Sequence, residues 1–226
     1  GDRLPVEFFA YVTDQNGEMK DFFTQMVTLD LSNRRELFGR TGIKYYGHLD
    51  LEPGSYLLRV LVRNAKTGQA GLETLSLDVP VYADAEPILL PPFFLEDSGS
   101  WFLVREKQGE YQKSVVYPFT INGRPYVPAA RPEVDDNGAQ VAVVAYNLGE
   151  EAPQLDGEVI SQDGQVVASA PFVDVERTVT GIDGLDKFLA TFEPKDLTAG
   201  SYTLRVAVTD SATGTTETNS IPFVID

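Results

Sequence analysis

The stretch Leu51-Glu-Pro-Gly-Ser-Tyr-Leu-Leu-Arg-Val-Leu-Val-Arg63 recurs as Leu197-Thr-Ala-Gly-Ser-Tyr-Thr-Leu-Arg-Val-Ala-Val-Thr209, 146 positions later. The register holds without a gap through Thr67-Gly68 and Thr213-Gly214 to Val79 and Ile225. Each copy reads as turn, strand, hairpin loop, strand. Two copies of one supersecondary unit in one chain imply two copies of one fold.

From Tyr56, residues Tyr56, Leu58, Val60 and Val62 alternate with Leu57, Arg59, Leu61 and Arg63, and Tyr202 to Thr209 alternates in the same way. Such period-2 patterning predicts a half-buried strand. Pro53 presets the turn ahead of it, and Gly54 and Gly200 allow a tight bend. A tyrosine after a Leu-x-x-Gly turn resembles the tyrosine corner of Greek-key sandwiches, where the hydroxyl bonds back to the chain upstream. A core tyrosine without that bond is the plainer alternative. Asn64-Ala-Lys-Thr-Gly68 and Asp210-Ser-Ala-Thr-Gly214 read as hairpin loops with a left-handed glycine.

Composition sets the class. The 226 residues suit two domains of about 100 residues, each able to build a core. With 19 Gly and 14 Pro, short strands are expected rather than helices. Only Ala83–Leu90 or Asp183–Leu189 offers room for a helical turn, apart from a turn in the polar stretch Ser32–Gly42. The net charge of −16 repels phosphate, so nucleic acid and anionic membrane are not expected partners. There is no cysteine, which excludes thiol nucleophiles and thiolate metal sites. No apolar run is long enough for a membrane span. Gly1-Asp-Arg-Leu-Pro5 carries no signal peptide and reads as an internal start, so a fragment of a longer protein is expected.

Along the chain, Val6–Thr13 and Phe22–Leu31 read as strands flanking an Asp14-Gln-Asn-Gly17 turn, with Phe23, Gln25, Val27, Leu29 and Leu31 on one side. Ile43–Leu51 leads into the first repeat. Residues 1–82 are therefore a first β-sandwich. Residues 83–105, with Pro87, Pro91 and Pro92 among Ile88, Leu90, Phe93 and Phe94, form an ordered connector. Its apolar side chains are expected to dock it on a domain and fix the inter-domain arrangement. Residues 106–226 are a second sandwich with strands at Ser114–Ile121, Ala139–Tyr146, Leu155–Ser161, Val166–Val173 and Lys187–Phe192. Gln162-Asp-Gly-Gln165 reads as a two-residue hairpin. The fold class is all-β: two tandem immunoglobulin- or fibronectin-III-like sandwiches joined by a Pro/aromatic-rich connector.

Chemistry is harder to find. One histidine, His48, and no cysteine leave no nucleophile–base apparatus or zinc set, and His48 reads as a surface residue on a strand. No glycine-rich phosphate cradle follows a strand into a helix. Asp135-Asp136, Glu150-Glu151, and Asp183 with Asp186 are the paired carboxylates, and each lies in a loop where acids serve as turn formers. Neither Asp14-Gln-Asn-Gly17 nor Asp135-Asp-Asn-Gly138 matches a twelve-residue calcium loop. No catalytic, cofactor-binding or metal-binding residue is assigned. Trp101, Phe93, Phe94, Tyr111, Tyr117 and Tyr126 cluster around the connector, as packing between domains or as a sugar-binding platform.

The ordered segments Gly42-Ile-Lys-Tyr-Tyr-Gly-His-Leu-Asp50, Leu90-Pro-Pro-Phe-Phe-Leu95, Trp101-Phe-Leu-Val-Arg105, Tyr117-Pro-Phe-Thr-Ile-Asn-Gly123, Tyr126-Val-Pro-Ala-Ala-Arg-Pro132 and Val144-Ala-Tyr-Asn-Leu148 carry a resemblance. From about residue 20 to 226 the chain resembles the C-terminal region of acidobacterial von Willebrand factor A-related (VWFA-related) domain proteins. The Asp-x-Ser-x-Ser metal motif of the type A domain is not present here, so no metal site is carried over. The resemblance implies a secreted, extracellular or periplasmic β-rich tail. The expected function is a non-enzymatic structural or interaction module, binding a protein partner or other domains of a parent chain. A carbohydrate-binding module is the alternative, and a hydrolase using loop carboxylates is the third reading.

Overall fold

The structure is a computed structural model that describes residues 2–81, 86–97, 101–105, 120–121, 124–149, 151–169, 171–179 and 184–225. It is nearly all β. The strands in chain order are β1 (Arg3–Asp14), β2 (Met19–Asp30), β3 (Ile43–Tyr46), β4 (Gly54–Asn64), β5 (Ala70–Val79), β6 (Ile88–Leu89), β7 (Phe93–Asp97), β8 (Phe102–Arg105) and β9 (Thr120–Ile121). They continue as β10 (Arg124–Pro128), β11 (Glu133–Val134), β12 (Ala139–Tyr146), β13 (Gln154–Ser161), β14 (Val166–Ser169), β15 (Phe172–Val179), β16 (Leu185–Phe192), β17 (Gly200–Thr209) and β18 (Thr216–Ile225). One helix, α1 (Arg35–Thr41), lies among the described residues. It falls in the polar stretch where a turn was expected. The two segments with other helical prospects contain strands at Ile88–Leu89 and Leu185–Phe192 instead.

Contacts divide the chain into two compact units, Gly1–Val81 with Ser98–Tyr117, and Tyr82–Asp97 with Pro118–Asp226. Stretch 83–105 is therefore not a separate connector. β6 and β7 pair with β12 inside the second unit, and β8 pairs in parallel with β3 in the first. Burial explains the first part: Phe94 is 2% exposed, in edge contact with Phe192 at 5.6 Å.

In the first unit the sheet order is β2-β1-β4-β5, all antiparallel. Its inner face carries Val6, Phe8, Ala10 and Val12, all nearly inaccessible. Tyr45 of β3 stacks on Phe8 at 4.4 Å and on Phe23 at 5.3 Å, and its hydroxyl bonds the Gln25 Oε1 at 3.0 Å. The β3–β8 pair and α1 thus cover the β1–β2 half, with Phe38 of α1 edge-on to Phe102 at 6.0 Å.

In the second unit one sheet runs β11-β18-β17-β13-β14 and the other β15-β16-β12-β7-β10-β9. A continuous core lies between them, with Phe94, Phe192 and Phe223 mutually within 5.6 Å, ring centre to ring centre. The run Val166–Val173, expected as one strand, divides between the two sheets: β14 ends at Ser169 and β15 begins at Phe172. Only Thr120–Ile121 of the expected strand Ser114–Ile121 lies within the described residues.

The repeat extends well beyond the quoted stretch. Gly54 pairs with Val79 as Gly200 pairs with Ile225, and Arg63 with Ala70 as Thr209 with Thr216. Asp14 lies opposite Tyr56 as Ser161 lies opposite Tyr202. The β1–β2 and β13–β14 hairpins match too: Gly17 N donates to Asp14 O at 3.0 Å, and Gly164 N to Ser161 O at 3.0 Å. Both hairpins shift register at equivalent places, Val12/Thr13 and Val159/Ile160. The Ser161–Gln165 loop therefore has three central residues, not two, closed by Ser161 N donating to Gln165 O at 2.9 Å.

Candidate functional site

Tyr56 and Tyr202 both form tyrosine corners. The Tyr56 hydroxyl donates to Glu52 O at 2.7 Å and the Tyr202 hydroxyl to Thr198 O at 2.9 Å. These are structural bonds that fasten each turn to the strand it enters.

Among the described residues, the others picked out in the sequence do not converge. His48 is half-buried and follows the end of β3 at Tyr46, so it is not on a strand. Asp14 accepts from Asn16 N and Glu18 N, both at 2.9 Å, and Asp135 accepts from Asn137 N at 2.9 Å; both carboxylates build turns. Glu18 and Asp14, at 2.5 and 3.0 Å, push the Lys20 ammonium up to about 12. Asp186 is 5% exposed and forms a two-pronged pair with Arg177 at 2.9 and 3.0 Å. Asp183 and Glu150 lie outside the described residues, as do Tyr111 and Tyr117. Among the described residues no group of three or more His, Cys, Asp or Glu is placed to hold a metal ion. No helix among them is long and apolar enough to cross a membrane.

The described connector aromatics are divided between the two units. Phe94 is in the core of the second unit, while Phe93 and Tyr126 are half-buried in the same unit. Trp101 belongs to the first unit, with Lys44 Nζ 3.8 Å from its ring centre.

The residues that do assemble are on the outer face of the first unit's sheet. Cross-strand pairing sets them in rows: Thr24–Phe9–Leu61–Leu72, Phe22–Tyr11–Arg59–Thr74 and Met26–Glu7–Arg63–Ala70. Phe22, Met26, Met19 and Leu72 are 59%, 67%, 58% and 59% exposed. A shallow groove of about 440 Å³ runs among Phe9, Tyr11, Met19, Phe22 and Thr24. Cations border it, with the Arg59 guanidinium 5.6 Å from the Tyr11 ring and Arg63 Nε 3.3 Å from Glu7.

The second unit supplies an internal control. At equivalent positions its rows read Asp156–Ala207–Thr218 and Ser169–Glu158–Arg205–Ser220, with Arg205 ion-paired to Glu158 through Nε at 3.1 Å. Pairing and register are the same, but these two rows are polar apart from Ala207. The apolar residues of the first unit are therefore not required by the fold. Exposed apolar patches of this kind mark interaction surfaces. Sequence reading missed Phe9, Phe22, Met26 and Leu72, although a position-by-position comparison of outward residues between the copies contains the signal.

No family model and no curated protein matches the chain. Among solved structures, a family 123 glycoside hydrolase from Clostridium perfringens is similar over 42% of this chain and 22% of its own, at 13% identity and a TM-score of 0.27. The chain thus spans about a fifth of that hydrolase's length. The C-terminal domain of the AgI/II polypeptide BspA from Streptococcus agalactiae aligns over 97% of this chain and 84% of its own, at 9% identity and a TM-score of 0.20. The C-terminal domain of the antigen I/II-family protein AspA from Streptococcus pyogenes aligns over 99% and 84%, at 8% identity and a TM-score of 0.20. Superpositions this loose transfer no function.

Proposed function

We propose that this chain is a non-catalytic, extracytoplasmic β-sandwich module that docks a protein partner through the outer sheet face of its first unit. The observation behind this is the change of character along equivalent rows of identical register: the large apolar Phe9, Leu61 and Leu72 stand where Asp156, Ala207 and Thr218 stand in the second unit. An apolar centre edged by Arg59 and Arg63 has the anatomy of a protein interface, with a desolvated middle and a charged rim. Extracellular or periplasmic placement, and a place as the C-terminal tail of a larger VWFA-related protein, rest on the sequence resemblance. The test is site-specific photo-crosslinking in the native host. Benzoylphenylalanine at Phe22 should give one dominant protein adduct, and the same probe at the equivalent Ser169 should give none. Equal, diffuse labelling at both positions would remove the proposal.

A further inference from the structure

The second unit takes its chain in at one pole and lets it out at the other. Glu86, ahead of β6, is held by the Asn147 amide, which donates to its carbonyl oxygen at 3.0 Å. Two residues after Asn147, Gly149 N donates to Asp210 Oδ1 at 3.2 Å, in the loop that joins β17 to β18. Ile225, the last residue of β18, lies opposite Gly200, at the far end of the β17–β18 ladder from that loop. At about 3.3 Å per residue, the two poles are roughly 30 Å apart.

Between the poles, the entering and leaving strands run in the same direction in different sheets. The Asn219 amide donates to Leu89 O at 3.1 Å, and Phe94 lies 5.3 Å from Phe223, ring centre to ring centre, so β6 and β7 run the same way as β18. β6 and β7 are paired along β12, and β18 along β17. Hydrogen bonds in such antiparallel ladders stand across the strands. A pull from Glu86 to Ile225 therefore runs along the strands and loads all the rungs together. A pull between Gly200 and Ile225, partners at one pole, opens them one at a time.

A strap joins the two sheets at the exit pole. Ala129 N donates to Phe94 O at 2.8 Å, and β11 then pairs in parallel with the end of β18, Glu133 with Val224 and Val134 with Ile225. Val224 N donates to Pro132 O at 2.9 Å, and Val134 and Ile225 are both buried in the core. Pro222, two residues earlier, has no N–H to give on that edge, so the bond falls at the last residues before the exit. Held from its upstream end, β11 resists β18 being drawn out by its downstream end.

We propose that the second unit is a load-bearing link, which holds tension applied between its entry at Glu86 and its exit at Ile225 by shear of whole ladders, with the β11–β18 strap as the clamp. Resistance to force is set by the unfolding rate, and a ladder whose rungs must break together gives a slow one. This role stands apart from the docking face of the first unit and does not rest on it.

The test is optical-tweezers pulling of the full chain along two axes. The chain has no cysteine, so introduced cysteines are unique handles. Glu86→Cys with a cysteine added after residue 226 loads the unit from pole to pole. Ala199→Cys with the same added cysteine peels β18 from β17. The first axis should need a force several times that of the second. Val224→Pro deletes the donor to Pro132 O at an edge that tolerates proline. It should speed rupture about fivefold at fixed force along the first axis, and leave the second axis unchanged. Equal forces along the two axes, a comparison that needs only the handles, overturn the proposal. So does a Val224→Pro effect of equal size on both axes, which is general destabilisation, or on neither.

Discussion

At the scale of single residues, the two copies are a matched pair of experiments. Each corner tyrosine makes one hydroxyl bond to a carbonyl four residues back. Tyr56→Phe and Tyr202→Phe should each cost about 1 kcal/mol, measured by urea denaturation. The rings differ more than the hydroxyls: Tyr202 stacks on Phe223 at 5.8 Å, whereas Leu77 lies opposite Tyr56. Tyr202→Ala should therefore be the more damaging of the two truncations. The hairpin loops differ in charge. Asn64 accepts from Lys66 N at 2.9 Å and stays neutral at any pH. Asp210, 2% exposed, accepts from the Thr213 hydroxyl at 2.7 Å and from Ala212 N and Gly149 N, both at 3.2 Å. The Thr213 hydroxyl first, and those amides after it, hold the Asp210 carboxyl below its ordinary 3.8. A depressed folded value means that the stabilisation is present above 3.8 and is lost as pH falls below it toward the folded value. Below that pH, exchange of the Ala212 and Gly149 amides should accelerate while that of Lys66 does not. Asp210→Asn should remove the difference, and an unchanged acid response would count against the assignment.

At the scale of elements, the repeated loops and the unique turns should respond differently to a methyl group. Gly68 and Gly214 have φ of 77° and 72° with open space around them, so alanine meets only the backbone penalty. Each substitution should cost roughly 1–2 kcal/mol. Gly138 has φ of 80°, and an added Cβ would stand 2.3 Å from Phe192 O. Gly138→Ala should cost more than either, read as a lower urea midpoint for the second unit. The β4–β5 and β17–β18 hairpins were legible in the sequence because turn chemistry, period-2 alternation and the repeat all agree there. The kinship of β1–β2 with β13–β14 was not legible. It resides in a shared bulge and turn, while outward residues such as Tyr11 and Glu158 have opposite character. The connector's apolarity was visible, but its membership of the second unit depends on non-local pairing with β12, which local pattern does not encode. The outer face was hidden for a related reason. Phe8 and Phe9 are both apolar neighbours, so alternation alone cannot tell that Phe8 faces the core and Phe9 the groove.

At the scale of the whole molecule, the two cores differ in completeness, and so the chain should not unfold in one step. The second unit removes Leu204, Val206 and Val208 wholly from water, while Val62 and Leu75 in the first remain 39% and 50% exposed. Burying an aliphatic side chain is worth roughly 1.5–3 kcal/mol, so partial exposure at several positions leaves the first unit the less stable. The single tryptophan, Trp101, belongs to that unit beside Lys44, so its fluorescence reports on the first unit. Far-ultraviolet circular dichroism reports strands in both. In urea the fluorescence change should come first, and the dichroism should show a second, later loss. Val206→Ala, which opens a cavity in the second core, should lower only the later transition, by about 1–3 kcal/mol. The reason is locality: Val206 packs within a core cluster confined to the second unit, whereas the tryptophan belongs to the first. Coincident transitions in the wild type, with the tryptophan curve moving in Val206→Ala, would mean that the cores unfold as one cooperative body.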